Sequence, residues 1–149
     1  MKLLPIKKVL DDSFRIIKTM KTNFCKEIKK SYGFYNTIKS SSDPIFFNKE
    51  YATIKIALPR RMGNTTLALK CLNHFKNSII VAYNKESACR FEDYPNIGSF
   101  KNRIYTPKMK SLCGINTDVC VVDCASYLSK KDIDSIYRGV HAGFYVLLG

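Results

Sequence analysis

Short, unbroken apolar runs constrain the fold of this chain more than any other feature. Residues 78–83 (SIIVAY), 119–122 (VCVV) and 143–149 (GFYVLLG) are too short for buried helices and rich in β-branched or aromatic residues. Such runs read as strands buried on both faces. A further apolar, β-prone run covers residues 52–58. The intervening segments have helical character: one from Thr65 to about Phe75, and one over 129–138, where Ser129 is placed to cap it. A short helix is expected within 84–94, a loop or weak strand over 95–100 and a short strand at 103–105. Strands alternating with helices predict an α/β fold, a mostly parallel sheet covered on both faces in three layers.

The loop between the first strand and the first of these helices carries the clearest chemistry. Residues 54–69 read IKIALPRRMGNTTLAL: strand, short loop with a glycine, then two threonines at a helix start. Successive loop N–H groups and the first helical turn converge on one point and favour an anion there. Gly63 has no Cβ and lets the backbone approach a ligand, and a hydroxyl just after it is placed to ligate Mg²⁺. Against the phosphate-loop pattern G-x-x-x-x-G-K-[ST], Leu58 stands at the first glycine, Gly63 at the second, Asn64 at the lysine and Thr65 at the hydroxyl. Arg60, Arg61, Met62, Gly63, Asn64, Thr65 and Thr66 are the candidate nucleotide-binding residues of this P-loop NTPase-like core. The other reading of the segment is an ordinary strand-loop-helix turn.

A second constellation lies 58 residues beyond Thr65. Asp123 closes the VCVV run, and a carboxylate at the carboxyl end of a buried parallel strand faces the crevice where such sheets bind ligands. Thr65 and Asp123 are therefore the candidate Mg²⁺ ligands. Zinc is not expected: six cysteines occur, none in a C-x-x-C, and His74 and His141 are distant from any cysteine pair. The thiols read as reduced, as in a cytoplasmic protein.

Charge bears on partners. The 149 residues hold 25 Lys and Arg against 12 Asp and Glu, a formal net charge of +13. The excess is divided between residues 1–50 (+6) and the remainder (+7), so it is not a tail. This balance attracts polyanions, nucleic acid first; the alternative is a lysine-rich solvated surface. Lys108 and Lys110, in a basic loop, are candidate nucleic-acid contacts. No apolar run reaches membrane-spanning length, and charges within residues 1–10 argue against a secretory leader.

Residues 1–40 read as basic amphipathic helix. Apolar positions from Ile6 to Met20 recur at three and four residues, and Asp11 and Asp12 are placed to cap a second helix. The segment is expected to pack on the α/β core, which divides the chain into a helical N-terminal segment (1–44) and the core itself (45–149). Phe47 and Tyr51, just ahead of the first strand, are either base-stacking residues or anchors for the N-terminal helices, the latter preferred.

Pro59 to Thr66 resembles the phosphate loop of large terminase ATPases, the DNA-packaging motors of tailed phages, in which arginine often precedes Gly-Lys-Thr-Thr. Ser111 to Gly114 and Asp118 to Ser126 are similar to that family's Walker B region, where a strand ends Asp-Glu-Ala, and Tyr145 to Gly149 is similar to its following coupling strand. Helicases share this core, so the likeness, over about residues 45–149, points to the additional-strand catalytic-glutamate class more firmly than to terminases. It implies ATP and Mg²⁺ as ligands and a viral origin, with the host cytoplasm as location. Two departures fall on the chemistry: Asn64 stands for the phosphate-binding lysine and Cys124 for the glutamate that activates water. Each such group contributes on the order of 10²–10⁴ in rate.

Three functions are compatible with these residues. The first is a degenerate P-loop domain, weak or inactive in ATP hydrolysis, that binds nucleic acid or another protein. The second is a working Mg-dependent ATPase of DNA packaging or translocation, in which Arg60 or Arg61 replaces the lysine and an oligomeric neighbour, through a residue such as Arg138, completes the site. The third is a viral interaction protein that captures a host component through its basic N-terminal helices.

Overall fold

The computed structural model describes residues 6–30, 43–58, 63–91 and 101–149. The elements run α1 (Ile6–Lys30), α2 (Pro44–Tyr51), β1 (Thr53–Ile56), α3 (Asn64–His74), β2 (Ser78–Val81), α4 (Lys85–Arg90), β3 (Ile104–Tyr105), β4 (Ile115–Val122), α5 (Lys130–Gly139) and β5 (Val140–Leu148). The strands form one five-stranded sheet in the order β1-β5-β4-β2-β3. Every adjacent pair is parallel, so the expected α/β architecture is the one adopted.

Burial on both faces explains the continuous apolar runs. Along β4, Val119 and Val121 face one core cluster while Cys120 and Val122 face the other; along β5, Phe144, Val146 and Leu148 oppose Tyr145 and Leu147 in the same way. The period of two therefore has no polar phase in the carboxyl halves of these strands. Leu67, Ala68, Cys71 and Leu72 of α3 cover the first face, and Ile136 and Tyr137 of α5 cover the second.

The N-terminal helix is continuous where a break was expected at Asp11 and Asp12. Both carboxylates sit inside α1 and pair outward, Asp11 with Lys70 of α3 at 2.8 Å and Asp12 with Arg15 one turn on at 3.2 Å. Neither caps a helix, because each faces solvent in an unbroken amphipathic pattern. Leu10 and Ile17 are buried in the cluster that holds Leu67, Leu72 and Val146, so α1 belongs to this layer of the core.

Three boundaries differ from those read in the sequence. β4 begins four residues ahead of the VCVV run, and its early residues Ile115 to Thr117 pair with Val140 to Ala142. β5 starts at Val140 because α5 passes into it directly at Gly139. β1 is confined to Thr53–Ile56, the length over which β5 is its partner.

The second face is tied by a polar network. The Thr53 hydroxyl donates to the Asn48 carbonyl at 2.6 Å, so the Tyr137 hydroxyl, 2.8 Å away, is the donor to Thr53. The Tyr145 hydroxyl donates to the Val140 carbonyl and accepts from Asn48 Nδ2 at 3.3 Å. Lys49 pairs with Asp134, joining α2 to α5 and holding the Asp134 carboxyl below its ordinary range. Phe47 is buried and packs on the Tyr51 ring, centroids 5.4 Å apart.

Candidate nucleotide site

The carboxyl rim of the sheet has a switch point between β4 and β2. From β4 the chain crosses through α5 to β5 on one side; from β2 it leads through α4 to β3 on the other. Connections leaving neighbouring strands in opposite directions open a crevice at their carboxyl ends. A cleft of 510 Å³ lies at this rim, with Gly63, Asn64, Thr65 and Thr66 in its wall together with Asp123 and Cys124. That volume is within the range of small-molecule sites.

The Thr65 hydroxyl donates to Asp123 Oδ2 at 3.1 Å. The two residues are carried by α3 and by the end of β4, and β5 lies between β4 and the strand that precedes α3. Asp123 is 3% exposed, and burial pushes its carboxyl above the ordinary range more than the hydrogen bonds from Thr65 and the Cys124 thiol pull it down. Both oxygens are hard donors. Adjacent ligands of an octahedral Mg²⁺ at 2.0–2.1 Å stand about 3.0 Å apart, so the pair fits such an ion. Among the described residues no group of three or more His, Cys, Asp or Glu forms a metal cage; an ion here would complete its shell from phosphate oxygens and water.

Gly63 is the N-cap residue of α3. Its φ of +91° is left-handed, and a Cβ there would lie 3.0 Å from Leu10 Cδ1. It caps α3 without a side-chain acceptor, which leaves the N–H groups of the first turn for an external anion. Thr65 and Thr66 stand in that turn. Asn64 Nδ2 donates to the Leu58 carbonyl at 3.4 Å, and its Oδ1 is buried with no hydrogen-bond partner among the described residues. An uncharged amide here does not replace a lysine ammonium. Arg60, Arg61 and Met62 lie outside the described residues.

Cys124 adopts a left-handed φ of +54°, and its Sγ stands 3.7 Å from Asp123 Oδ1. Close behind is Gly149, where a Cβ would meet Cys124 Cα at 3.2 Å. A thiol is not a base that activates water at neutral pH in the way a carboxylate is.

The far wall of the cleft holds Tyr83, Ser87, Arg90 and Tyr127. The tyrosine rings contact each other with centroids 5.4 Å apart, and Arg90 pairs with Glu86 at 2.7 Å. None of these was singled out from the sequence. The available signal was position: Tyr83 follows β2 as Asp123 follows β4, and residues just past the carboxyl ends of parallel strands share one rim. Phe47 and Tyr51 do not line the cleft, and neither do Lys108 and Lys110, which are exposed elsewhere. No protein-family model matches this chain, and no curated protein has significant similarity to it.

Proposed function

We propose that this chain is a degenerate P-loop NTPase-like domain of the terminase and helicase type. It binds a magnesium-nucleotide between the Gly63 turn and Asp123, hydrolyses it slowly or not at all, and acts as a nucleic-acid- or protein-binding factor. The observation that carries the reading is the 3.1 Å contact between Thr65 and Asp123 with a strand interposed between β1 and β4. An interposed strand is the feature for which the additional-strand class is named. A hydroxyl and a carboxylate meeting beside an uncapped helix start is the pairing that a metal-bound phosphate needs.

The same residues support weak turnover. Asn64 brings no charge to the phosphates and Cys124 no base to water, so what remains among the described residues is phosphate-binding backbone and metal ligands. The net charge of +13 supports a polyanionic partner.

The test has two readings. ATP with Mg²⁺ at millimolar concentration raises the melting temperature by mass action, and hydrolysis at micromolar protein stays well below about 1 s⁻¹. No thermal shift overturns nucleotide binding. Turnover near 1 s⁻¹ overturns the degenerate character and leaves the binding.

A further inference from the structure

We infer that Arg90 supplies the positive charge missing at the lysine position of the phosphate loop, where Asn64 stands, by binding the terminal phosphate of the nucleotide and so selecting triphosphate over diphosphate. This rests on the nucleotide reading above and goes beyond it in assigning a specificity-determining residue from outside the loop.

The geometry is that of the rim. Arg90 ends α4, which follows β2, and β2 is the neighbour of β4 on the side away from β5 and β1. Arg90 therefore enters the cleft from the side of Asp123 opposite to Thr65. An ion held by Thr65 and Asp123 would keep the phosphate end of a bound nucleotide beside them. The next wall along the rim is the one Arg90 occupies. Among the described residues that line the cleft, Arg90 is the sole cation.

Its present partner does not hold it firmly. Glu86 lies one helical turn back, and the two side chains are 72% and 68% exposed. An exposed pair of this kind contributes little. A terminal phosphate offers more charge and accepts two parallel hydrogen bonds from the guanidinium, so the arginine exchanges Glu86 for phosphate when a triphosphate is present. At the lysine position there is little competition, since Asn64 has no charge and its amide already donates to Leu58.

The experiment measures ATP·Mg²⁺ and ADP·Mg²⁺ affinities by calorimetry for the full chain and for R90A, R90K and E86Q. The wild type is expected to prefer ATP by about tenfold or more, the scale of a hydrogen-bonded charge. R90A erases the preference while the nucleotide-free melting temperature stays unchanged, because the side chain is exposed. R90K keeps part of the preference. E86Q, which removes the competing carboxylate and leaves the arginine, strengthens it. Equal affinities in the wild type, an R90A that keeps its ATP preference, or an E86Q that loses it overturns the assignment and leaves nucleotide binding standing. A wild type that binds neither nucleotide overturns the reading beneath as well.

Discussion

Thr65 and Asp123 meet at 3.1 Å although β5 runs between the strands that lead to them. The contact spans one strand because Thr65 is set on α3, which leans over the rim from the first face, while Asp123 stands at the end of β4. At about 4.8 Å per strand, no side chain directly on β1 would make the same reach as economically.

Removing the Asp123 charge separates its binding role from its effect on folding. The folded-state pKa is raised by burial, so the folded state holds a proton that the unfolded chain releases above about pH 4. Stability from this group is full below that pH and is lost as pH rises through the folded value. Without metal, D123N should therefore melt above the wild type at pH 7, with the difference shrinking as pH falls to 4. With Mg²⁺ and ATP the order reverses, because a bound cation favours the carboxylate. Thermal melts across pH, with and without nucleotide, check both signs.

Leu10 closes over Gly63, which couples the N-terminal helix to the phosphate-loop turn. G63A introduces a Cβ 3.0 Å from Leu10 Cδ1 at a φ of +91°, and should cost about 1–3 kcal/mol from the backbone alone. L10A leaves a cavity in the core cluster and should cost about 2–4 kcal/mol. Denaturant melts measure both. Deleting residues 6–30 should leave the remainder unable to melt cooperatively, since Ile17 is also fully buried.

Arg103 is a structural arginine. Its guanidinium donates to the carbonyls of Leu72, Phe75 and Ser78 and to the Ser78 hydroxyl, all at 2.8–3.0 Å. This arrangement satisfies carbonyls where α3 turns into β2 and sets a positive charge at a helix carboxyl end. R103M should lose about 2–4 kcal/mol, readable by denaturant melts, with the nucleotide-induced thermal shift unchanged.

Thiol labelling should divide by burial. Cys25, Cys89 and Cys113 are exposed, whereas burial pushes Cys71 and Cys120 up to about 12. The first three should react with a thiol reagent in the folded protein at pH 8, and the last two only on unfolding. Labelling followed by mass spectrometry reads the assignment.

Nucleic-acid binding, if the charge of +13 serves it, should fall steeply with salt. The logarithm of the association constant should decline linearly with the logarithm of salt, by about 0.7 per phosphate neutralised on a single strand. Binding that is absent or insensitive to salt removes nucleic acid from the proposal and leaves a protein partner.

What the amino-acid order determined was the architecture. The VCVV and SIIVAY runs have no polar phase because helices cover both faces, and that local property needs no knowledge of neighbours. Ser129 caps α5 as its side-chain chemistry dictates, accepting from the Asp132 N–H at 3.1 Å. Asp11 and Asp12 misled because a cap signal is indistinguishable from a pair of outward carboxylates until a partner such as Lys70 is in place. The strand order was decided only by tertiary structure. The pairing of Thr65 with Asp123 was legible in the phosphate-loop and strand-end patterns, whereas the arrival of Tyr83, Arg90 and Tyr127 in the same cleft was not. Those three follow β2 and β4, which the sheet makes neighbours, and the separation of residues along the chain carries no record of which strand ends lie side by side.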